Sequence, residues 1–230
     1  MMSTEENRLY RYERKFLVEE FDARQVRIIV RRHPLMFYEQ YPPRVVNNLY
    51  LDTEELDLYH ANQNGTPERC KVRLRWYGDM FGSIASPVLE FKIKNGIVGT
   101  KKSYPFPVFT LDKGFSREDF QGLARTAQVP DQVHHHLRTL NVVLCNRYKR
   151  WYYISRDHRC RLTVDVDMIY YPVRLFHNNF QASFRDQDHI IVEMKYEKPF
   201  EEQAGRIANR MPFRMTRNSK YITGMEAVYS

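Results

Sequence analysis

The amino-acid sequence predicts an α+β fold in which most of the structure is antiparallel β-sheet. Its strand-like segments alternate charged and apolar residues, as in "KVRLRW" (71–76), and side chains on a strand point to opposite faces with a period of two. Turn-forming residues separate these segments, and fewer segments show the 3.6-residue apolar periodicity of helices. We therefore expect a sheet with one charged and one apolar face.

Eight segments have the alternation and composition of strands. The predicted strands are 10–18, 44–52, 69–78, 87–96, 99–109, 146–155, 160–171 and 189–197. Helical periodicity predicts helices at 21–33, 117–128, 131–140 and 200–211, and a further segment, 214–225, follows the last of them. No linker, low-complexity tract or repeat divides the chain, so we expect a single domain over residues 1–230.

The overall charge favours an anionic partner. Basic residues outnumber acidic ones by 36 to 28, which gives a formal net charge of +8. This excess does not choose between nucleic acid, a phosphorylated metabolite and a membrane surface. A sequence-specific nucleic-acid reader is disfavoured because the basic residues alternate within strands and share faces with carboxylates, and they form no uninterrupted basic helix.

The cysteines and the apolar runs indicate the cellular compartment of the protein. Three cysteines lie far apart, at 70, 145 and 160, and form neither a CxxC motif nor a disulfide framework. The longest apolar runs fall short of the ~18 residues of a spanning helix, and no signal peptide precedes the first charged residues. We expect a soluble, cytoplasmic protein with reduced cysteines and no transmembrane segment.

Two architectures are compatible with the alternation. In an ordinary antiparallel sheet, the apolar face packs on the core and the charged face lies in solvent. In a closed barrel, the charged faces point inward and helices cover the apolar outside, which requires water, counter-ions or a polyanion to neutralise the interior. Periodicity does not separate these two alternatives.

Several motifs, taken in chain order, resemble those of one known family. They are "RYERKFLV", "NNLYLDT", "KVRLRWYG", "LEFKIKNG", "NRYKRWYY", "RLTVDVD", "IIVEMKY" and "NSKYITGM". From about residue 8 to 226, the chain resembles the catalytic domain of the vacuolar transporter chaperone (VTC) complex and the bacterial polyphosphate polymerase domain proteins. Both are triphosphate tunnel metalloenzymes, which include CYTH-type phosphatases and adenylate cyclases. The resemblance implies an eight-stranded closed antiparallel tunnel with helices packed outside.

The resemblance also implies a role for each matching residue. The residues implied for catalysis are Lys15, Arg73, Arg75, Lys92, Arg150, Arg161 and Lys220. Those implied for phosphate binding are Lys94, Lys101, Lys102, Lys195 and Ser219, with the choice between Lys101 and Lys102 left open. Glu193 is the first choice as metal ligand, helped directly or through water by Glu13, Asp165 and Asp167, although the two aspartates equally fit salt bridges to tunnel cations. Arg11 stands where the wider superfamily has a first glutamate.

These residue types suit the chemistry of a triphosphate. Arginine binds phosphate oxygens bidentately and lysine acts as a point charge, while cations two residues apart on a strand lie roughly 6.5–7 Å from each other on one face. Mg²⁺ or Mn²⁺ usually takes one or two carboxylates together with phosphate oxygens. Phosphoryl transfer requires in-line positioning and neutralised oxygens, and no side-chain nucleophile.

The sequence therefore predicts a metal-dependent polyphosphate polymerase that uses ATP and inorganic polyphosphate or triphosphate. An inorganic, nucleoside or RNA 5′-triphosphatase on the same scaffold is the first alternative, since water in place of the phosphate chain as nucleophile gives hydrolysis. A non-catalytic module that binds polyphosphate is the second, and in such a module Glu193 is dispensable.

Overall fold

The structure, a computed structural model, describes residues 11–96, 98–174 and 178–229. Its strands are β1 (Arg11–Val18), β2 (Tyr38–Asp52), β3 (Glu68–Tyr77), β4 (Gly82–Ile84), β5 (Val88–Asn95), β6 (Val98–Pro105), β7 (Phe109–Leu111), β8 (Asn141–Ile154), β9 (Cys160–Pro172), β10 (Phe184–Asp186), β11 (Ile190–Glu197) and β12 (Arg214–Met215). Its helices are α1 (Ala23–Arg32), α2 (Asp57–Gln63), α3 (Arg117–Thr126), α4 (Asp131–Leu137), α5 (Glu201–Ala208) and α6 (Lys220–Tyr229). None of these described helices is long and apolar enough to cross a membrane.

The fold is α+β with mostly antiparallel strands, as the alternation predicted. The main sheet has the strand order β12-β1-β11-β9-β8-β2-β3-β5-β6, and β10 pairs with β9 outside this path. β4 and β7 form a separate two-stranded sheet. The pairings of β1 with β11, β11 with β9, β2 with β3, β3 with β5 and β5 with β6 are all antiparallel.

Most predicted elements are present, with shifted boundaries. The predicted strand 99–109 corresponds to β6, which ends at Pro105, and the next strand, β7, begins only at Phe109, after Pro107. β2 and β8 begin five or more residues before the predicted strands. Helix α2 was missed because it has only seven residues, none of them buried, and begins after Leu56 in the left-handed region (φ 59°).

The described chain divides into two compact units. Unit 1 comprises residues 11–43, 150–166 and 187–218, and unit 2 comprises the described residues within 44–149, 167–186 and 219–229. Strands β2, β8 and β9 contribute residues to both units. Each unit has its own cluster of buried apolar residues, and each is therefore described by itself.

In unit 1, helices α1 and α5 pack on the apolar face of the sheet. Helix α1 begins with a capping box between Asp22 and Gln25, which satisfies two backbone N–H groups that the helix leaves free. Val26 and Val30 of α1 are completely buried. The core residues that they join include Phe16, Leu162, Val164, Val192, Met194, Ala204 and Ile207. The opposite face of the same strands carries the charged residues.

In unit 2, helices α3 and α4 belong to the core that forms on the apolar face of β2, β3 and β5. Its buried residues include Leu49, Leu51, Val72, Leu74, Trp76, Leu89, Phe91, Phe120, Ala124 and Leu137. The apolar partners of the "KVRLRW" alternation are thus in the core, and its cations lie on the other face.

The three cysteines are free thiols, and burial raises the pKa of Cys70 to about 11 and that of Cys160 to about 12.

The glycine in helix α6 provides a test of this packing. A Cβ atom on Gly224 would lie 2.5 Å from Cδ1 of Tyr170 and 2.6 Å from Cδ2 of Leu144, both fully buried in unit 2. We expect Gly224→Ala to reduce the free energy of unfolding by about 1–3 kcal/mol, measured by chemical denaturation. Gly122→Ala in α3 is the control, because no atom lies within 4 Å of its Cβ position. The control should stabilise the helix slightly, by up to ~1 kcal/mol; an equal effect of both variants contradicts the packing argument.

Candidate functional site

The charged face of unit 2 is built by strands β3, β5 and β6. Arg73 and Arg75 on β3 alternate with buried apolar neighbours, so both guanidinium groups lie on the face away from the core. The register places Glu90 of β5 opposite Arg73 and Lys92 opposite Lys71. Cross-strand partners share a face, and this face therefore combines one buried carboxylate with a set of cations.

Glu90 holds the cations of this face together. Its Oε2 accepts hydrogen bonds from Nε (2.8 Å) and Nη2 (2.6 Å) of Arg73 and lies 3.7 Å from Nη1 of Arg75, while Lys101 binds Oε1. Burial alone would raise the pKa of Glu90, which is only 5% exposed, but Arg73, Arg75 and Lys101 outweigh burial and hold the pKa well below its usual range. Glu90 is thus an ionised anchor that fixes the two arginines.

Arg75 is also oriented by neutral groups. Its Nε donates to Oδ1 of Asn48 (3.0 Å), and its Nη2 donates to the hydroxyl of Tyr148 (3.2 Å). The amide of Asn48 in turn donates to Oδ1 of Asn146 (2.8 Å). Because both asparagines are completely buried, the guanidinium is held by groups that have little freedom to move.

Lysines from three neighbouring strands lie in one row on this face. Lys71 is opposite Lys92, and Lys92 is opposite Lys101; in the next row, Arg69 is opposite Lys94. Like charges directly opposite each other on a sheet are destabilising, so this arrangement favours the binding of an anion. The register also decides between the two lysines left open by the sequence. Lys101 is on the charged face, whereas Lys102 is exposed opposite Phe91, on the apolar side.

The start of helix α6 places two more of the predicted residues, Ser219 and Lys220, beside the charged face of unit 2. Nζ of Lys71 donates to the hydroxyl of Ser219 (2.7 Å), the residue that precedes α6. The ammonium group of Lys220 lies 4.8 Å from the centre of the Tyr148 ring, a cation–π distance. Tyr148 therefore contacts both Arg75 and Lys220.

A buried carboxylate fixes this helix start. Asp52, fully buried at the end of β2, accepts hydrogen bonds from the backbone N–H of Thr53, Leu58 and Tyr59 and from the hydroxyl of Tyr221. The Tyr221 ring also stacks on Tyr50, with centroids 4.9 Å apart. The hydrogen bond between Asp52 of "LDT" and Tyr221 of "SKY" thus joins β2 to α6. It positions the residues that precede Tyr221.

The charged face of unit 1 mixes cations and carboxylates. The register of β1, β11 and β9 places Lys15 opposite Glu193, and Lys195 between Glu13 and Arg161. The ammonium of Lys15 lies 3.0 Å from Oε1 of Glu13, and that of Lys195 lies 3.4 Å from Oε1 of Glu193. Arg161 is the most exposed of these cations, which places it at the solvent side of the face.

Arg150 and Asp165 form a buried bidentate ion pair in unit 1. Nε and Nη2 of Arg150 lie 2.5 and 2.7 Å from the two carboxylate oxygens of Asp165, which is fully buried. Glu193 is more distant, with Oε2 3.7 Å from Nη2 of Arg150. Of the two alternatives left open for Asp165, the structure shows the salt bridge.

The carboxylates fit a divalent cation only in part. Both oxygens of Asp165 are engaged by Arg150, and Asp167, which is exposed and belongs to unit 2, has a left-handed backbone (φ 53°) within β9. Within the described ranges no three acidic, histidine or cysteine side chains form a metal-binding group. Glu193 and Glu13 are diagonal neighbours on adjacent strands, and two carboxylates are what Mg²⁺ or Mn²⁺ takes when substrate phosphates supply other ligands.

Each unit therefore gathers part of the predicted set. Unit 2 carries Arg73, Arg75, Lys92, Lys94, Lys101, Ser219 and Lys220, and unit 1 carries Lys15, Glu13, Arg150, Arg161, Asp165, Glu193 and Lys195. Sequence analysis did not propose Lys71, Glu90 or the Asn48–Asn146 pair. The strict alternation of "KVRLRW" and "LEFKIK" was a sufficient signal for Lys71 and Glu90, but the asparagine pair joins residues 98 positions apart and had no local signal.

Comparison with known proteins identifies relatives of the whole chain. The family model of the VTC domain matches residues 10–229. No curated protein sequence matches the chain. A solved structure of a putative adenylyl cyclase from Hippeastrum, described as having a dominant triphosphatase activity, has a TM-score of 0.54 at 12% identity over 96% of both chains. A putative adenylate cyclase from Vibrio parahaemolyticus has a TM-score of 0.52 at 12% identity, over 93% of this chain and 96% of the other. These two structures share the fold.

The depressed pKa of Glu90 predicts an acid-sensitive stability. A carboxylate whose pKa is lower in the folded than in the unfolded chain stabilises the fold above the unfolded pKa, near ~4.3, and loses this contribution as the pH falls further. We expect Glu90→Gln to reduce the free energy of unfolding at pH 7 by about 3 kcal/mol, because it leaves the arginines without their anion. The variant should also lose part of the decline in stability below pH ~4.5, measured by urea denaturation.

The control for this measurement is Glu118→Gln, which changes an exposed carboxylate in the first turn of α3. It should alter the free energy of unfolding at pH 7 by less than about 1 kcal/mol and keep the acid-dependent decline of the parent chain. An unchanged decline in Glu90→Gln would show that Glu90 is not the carboxylate with the depressed pKa.

Proposed function

Because the chain belongs to the VTC domain family, we propose that it is a polyphosphate polymerase that transfers the γ-phosphoryl group of ATP to a growing inorganic polyphosphate chain. The observation that carries the proposal is the charged face of unit 2, where Arg73, Arg75 and Lys101 contact Glu90 and Lys92 lies in the adjacent row of lysines. Such an excess of oriented cations suits a linear chain of phosphates better than it suits one carboxylate or one phosphate.

The proposal includes the closed eight-stranded tunnel that the sequence resemblance implies. Helices α1 and α5 of unit 1 and helices α3 and α4 of unit 2 pack on the apolar face of the strands, whereas the start of α6 lies beside Lys71 and Tyr148 on the charged side. The two solved structures with TM-scores above 0.5 support the same fold family. We expect the predicted single domain and its tunnel to hold the triphosphate of ATP and the acceptor chain.

Each charged residue has a defined task in this reaction. Arg73 and Arg75 are two residues apart on one strand, so their guanidinium groups can bind neighbouring phosphoryl groups. Glu90 and Asn48 hold these arginines in place before substrate binds, and the reaction then requires little reorganisation of charge. The lysines of the row, together with Lys220, neutralise the remaining oxygens, which lowers the repulsion between the donor and the incoming phosphate.

A divalent cation, Mn²⁺ or Mg²⁺, completes the proposed site in unit 1. Glu193 is its principal ligand, and Glu13 is the second carboxylate within reach on the neighbouring strand. When bound there, such a cation would supply positive charge to the phosphate oxygens. Lys15 and Lys195, which pair with these carboxylates, can turn to phosphate oxygens when a cation takes their place.

Triphosphate hydrolysis is the second candidate function. The Hippeastrum protein that shares the fold is described as having a dominant triphosphatase activity, and the same set of cations and carboxylates serves a water nucleophile. The terminal phosphate of polyphosphate is the nucleophile in the first proposal, and water is the nucleophile in the second. No side-chain nucleophile is needed in either case.

The cytoplasmic location of the protein stays a prediction from the sequence.

The reaction products distinguish these candidates. We expect incubation of the chain with γ-labelled ATP, short polyphosphate and Mn²⁺ or Mg²⁺ to give long labelled polyphosphate on a gel, and a chelator to stop the synthesis. Glu193→Gln should lower the rate of synthesis by about 100-fold or more while tripolyphosphate still binds. Free labelled phosphate without chains would identify a triphosphatase. Binding of tripolyphosphate without any turnover, unaltered by Glu193→Gln, would identify a binding module.

Two lysines on neighbouring strands provide a matched pair of variants. Lys92 is in the row on the charged face, whereas Lys102 is exposed on the apolar side of β6. We expect Lys92→Ala to lower kcat/KM for ATP by about 100-fold and to leave the melting temperature nearly unchanged, because it removes a like-charge repulsion together with a phosphate contact. Lys102→Ala should change kcat/KM by less than about twofold. Equal losses in both variants would contradict the assignment of the charged face.

A further inference from the structure

A cleft on the helix side of unit 1 has features of a second ligand site. Its volume is about 320 Å³, the lower end of the range of small-molecule sites. The lining residues are His33, Pro34, Leu35, Asp157, Arg159, Phe200, Gln203, Arg206, Ile207 and Arg210, and we call this the arginine cleft. They come from the end of α1, the turn between β8 and β9, and α5, so none lies on the charged face of unit 1.

The rim of the arginine cleft is positively charged. Three arginines line it, against one carboxylate, Asp157. Arg206 pairs with Glu202, but both side chains are largely exposed, and such a pair contributes little. Arg159 and Arg210 form no ion pair in the part of the chain that the structure describes.

The carboxylate of Asp157 is already engaged by its own turn. Its Oδ1 accepts hydrogen bonds from the hydroxyl of Ser155 (2.6 Å) and from the backbone N–H of Arg159 (3.2 Å). These bonds, which are local to the β8–β9 turn, explain why the carboxylate is present. The net charge of the lining residues is positive, and the electrostatics favour an anion.

The floor of the cleft is apolar, and one histidine, His33, lies beside it. Phe200 and Ile207 are buried, and beside them lies His33, which is only 6% exposed. Nδ1 of His33 accepts a hydrogen bond from the backbone N–H of Leu35 (3.2 Å), so the neutral ring carries its proton on Nε2. The carbonyl of Ile207 lies beside the ring, and Nε2 is buried from solvent, so the ring is part of the floor of the cleft.

We propose that the arginine cleft binds a small organic phosphate of about the size of a nucleoside diphosphate. The apolar body packs against Phe200, Leu35 and Ile207, and the phosphates bind the arginines at the rim. An inorganic phosphate fits less well, because it would leave the apolar floor without a contact. This inference concerns residues apart from those of the proposed reaction and does not depend on that proposal.

Titration calorimetry with ADP tests the inference. The measurements use the full chain with Lys92→Ala and no divalent cation, so that binding to the charged face is weakened. We expect one ADP per chain, and about tenfold weaker binding after the further change Arg210→Ala or Arg159→Ala, each of which removes charge-assisted hydrogen bonds. Arg24→Ala, an exposed arginine on α1 outside the cleft, is the matched control and should change the affinity by less than about twofold.

Two partial ligands complete the test. Adenosine and pyrophosphate should each bind at least about tenfold more weakly than ADP, because each lacks one half of the contacts. Pyrophosphate that binds as tightly as ADP would overturn the inference and show a simple anion patch. Absence of ADP binding, or no effect of Arg159→Ala and Arg210→Ala, would overturn it as well. The titration requires no turnover, so its failure is distinct from a failure to synthesise polyphosphate.

Discussion

The repulsion between neighbouring cations on a β-sheet is the constraint on which the rest of this structure depends. Side chains of adjacent strands lie about 5 Å apart, so Lys71, Lys92 and Lys101 in one row repel each other. The fold offsets this repulsion with the buried carboxylate of Glu90, which fixes the arginines beside the row. Among the described residues of β3, β5 and β6, the cations on this face outnumber its one carboxylate, and a polyanion can neutralise them.

Two motifs that carry the family resemblance are structural as well as chemical. Asp52 in "LDT" and Tyr221 in "SKY" form a buried hydrogen bond, and Asp52 also accepts hydrogen bonds from two backbone N–H groups in the first turn of α2. This bond places Ser219 and Lys220 beside Lys71 and Tyr148. A motif residue next to a candidate catalytic residue is therefore not necessarily catalytic. Here it determines where the functional side chain lies.

The sequence could predict the α+β class and the charged face because both follow from local alternation. It could not choose between Lys101 and Lys102, since that choice depends on the register of β5 with β6. It left the role of Asp165 open, because a bidentate bond to Arg150 depends on tertiary packing. Asp167 follows the same alternation as Asp165, yet its left-handed backbone interrupts the pattern. Helix α6 had no clear signal because Gly224, unfavourable in a helix, is required by its close contact with Tyr170.

The charge balance differs between the two faces, and this difference bears on which carboxylate can hold a cation. In unit 2 the carboxylate of Glu90 is surrounded by arginines and a lysine, so it serves to orient cations. In unit 1, Asp165 is likewise neutralised by Arg150, with contacts of 2.5 and 2.7 Å. Glu193 lies 3.4 Å from Lys195 and 3.7 Å from Arg150, which are longer ion-pair distances than those between Asp165 and Arg150. Because Arg150 engages both oxygens of Asp165, Glu193 stays the proposed principal ligand of the cation.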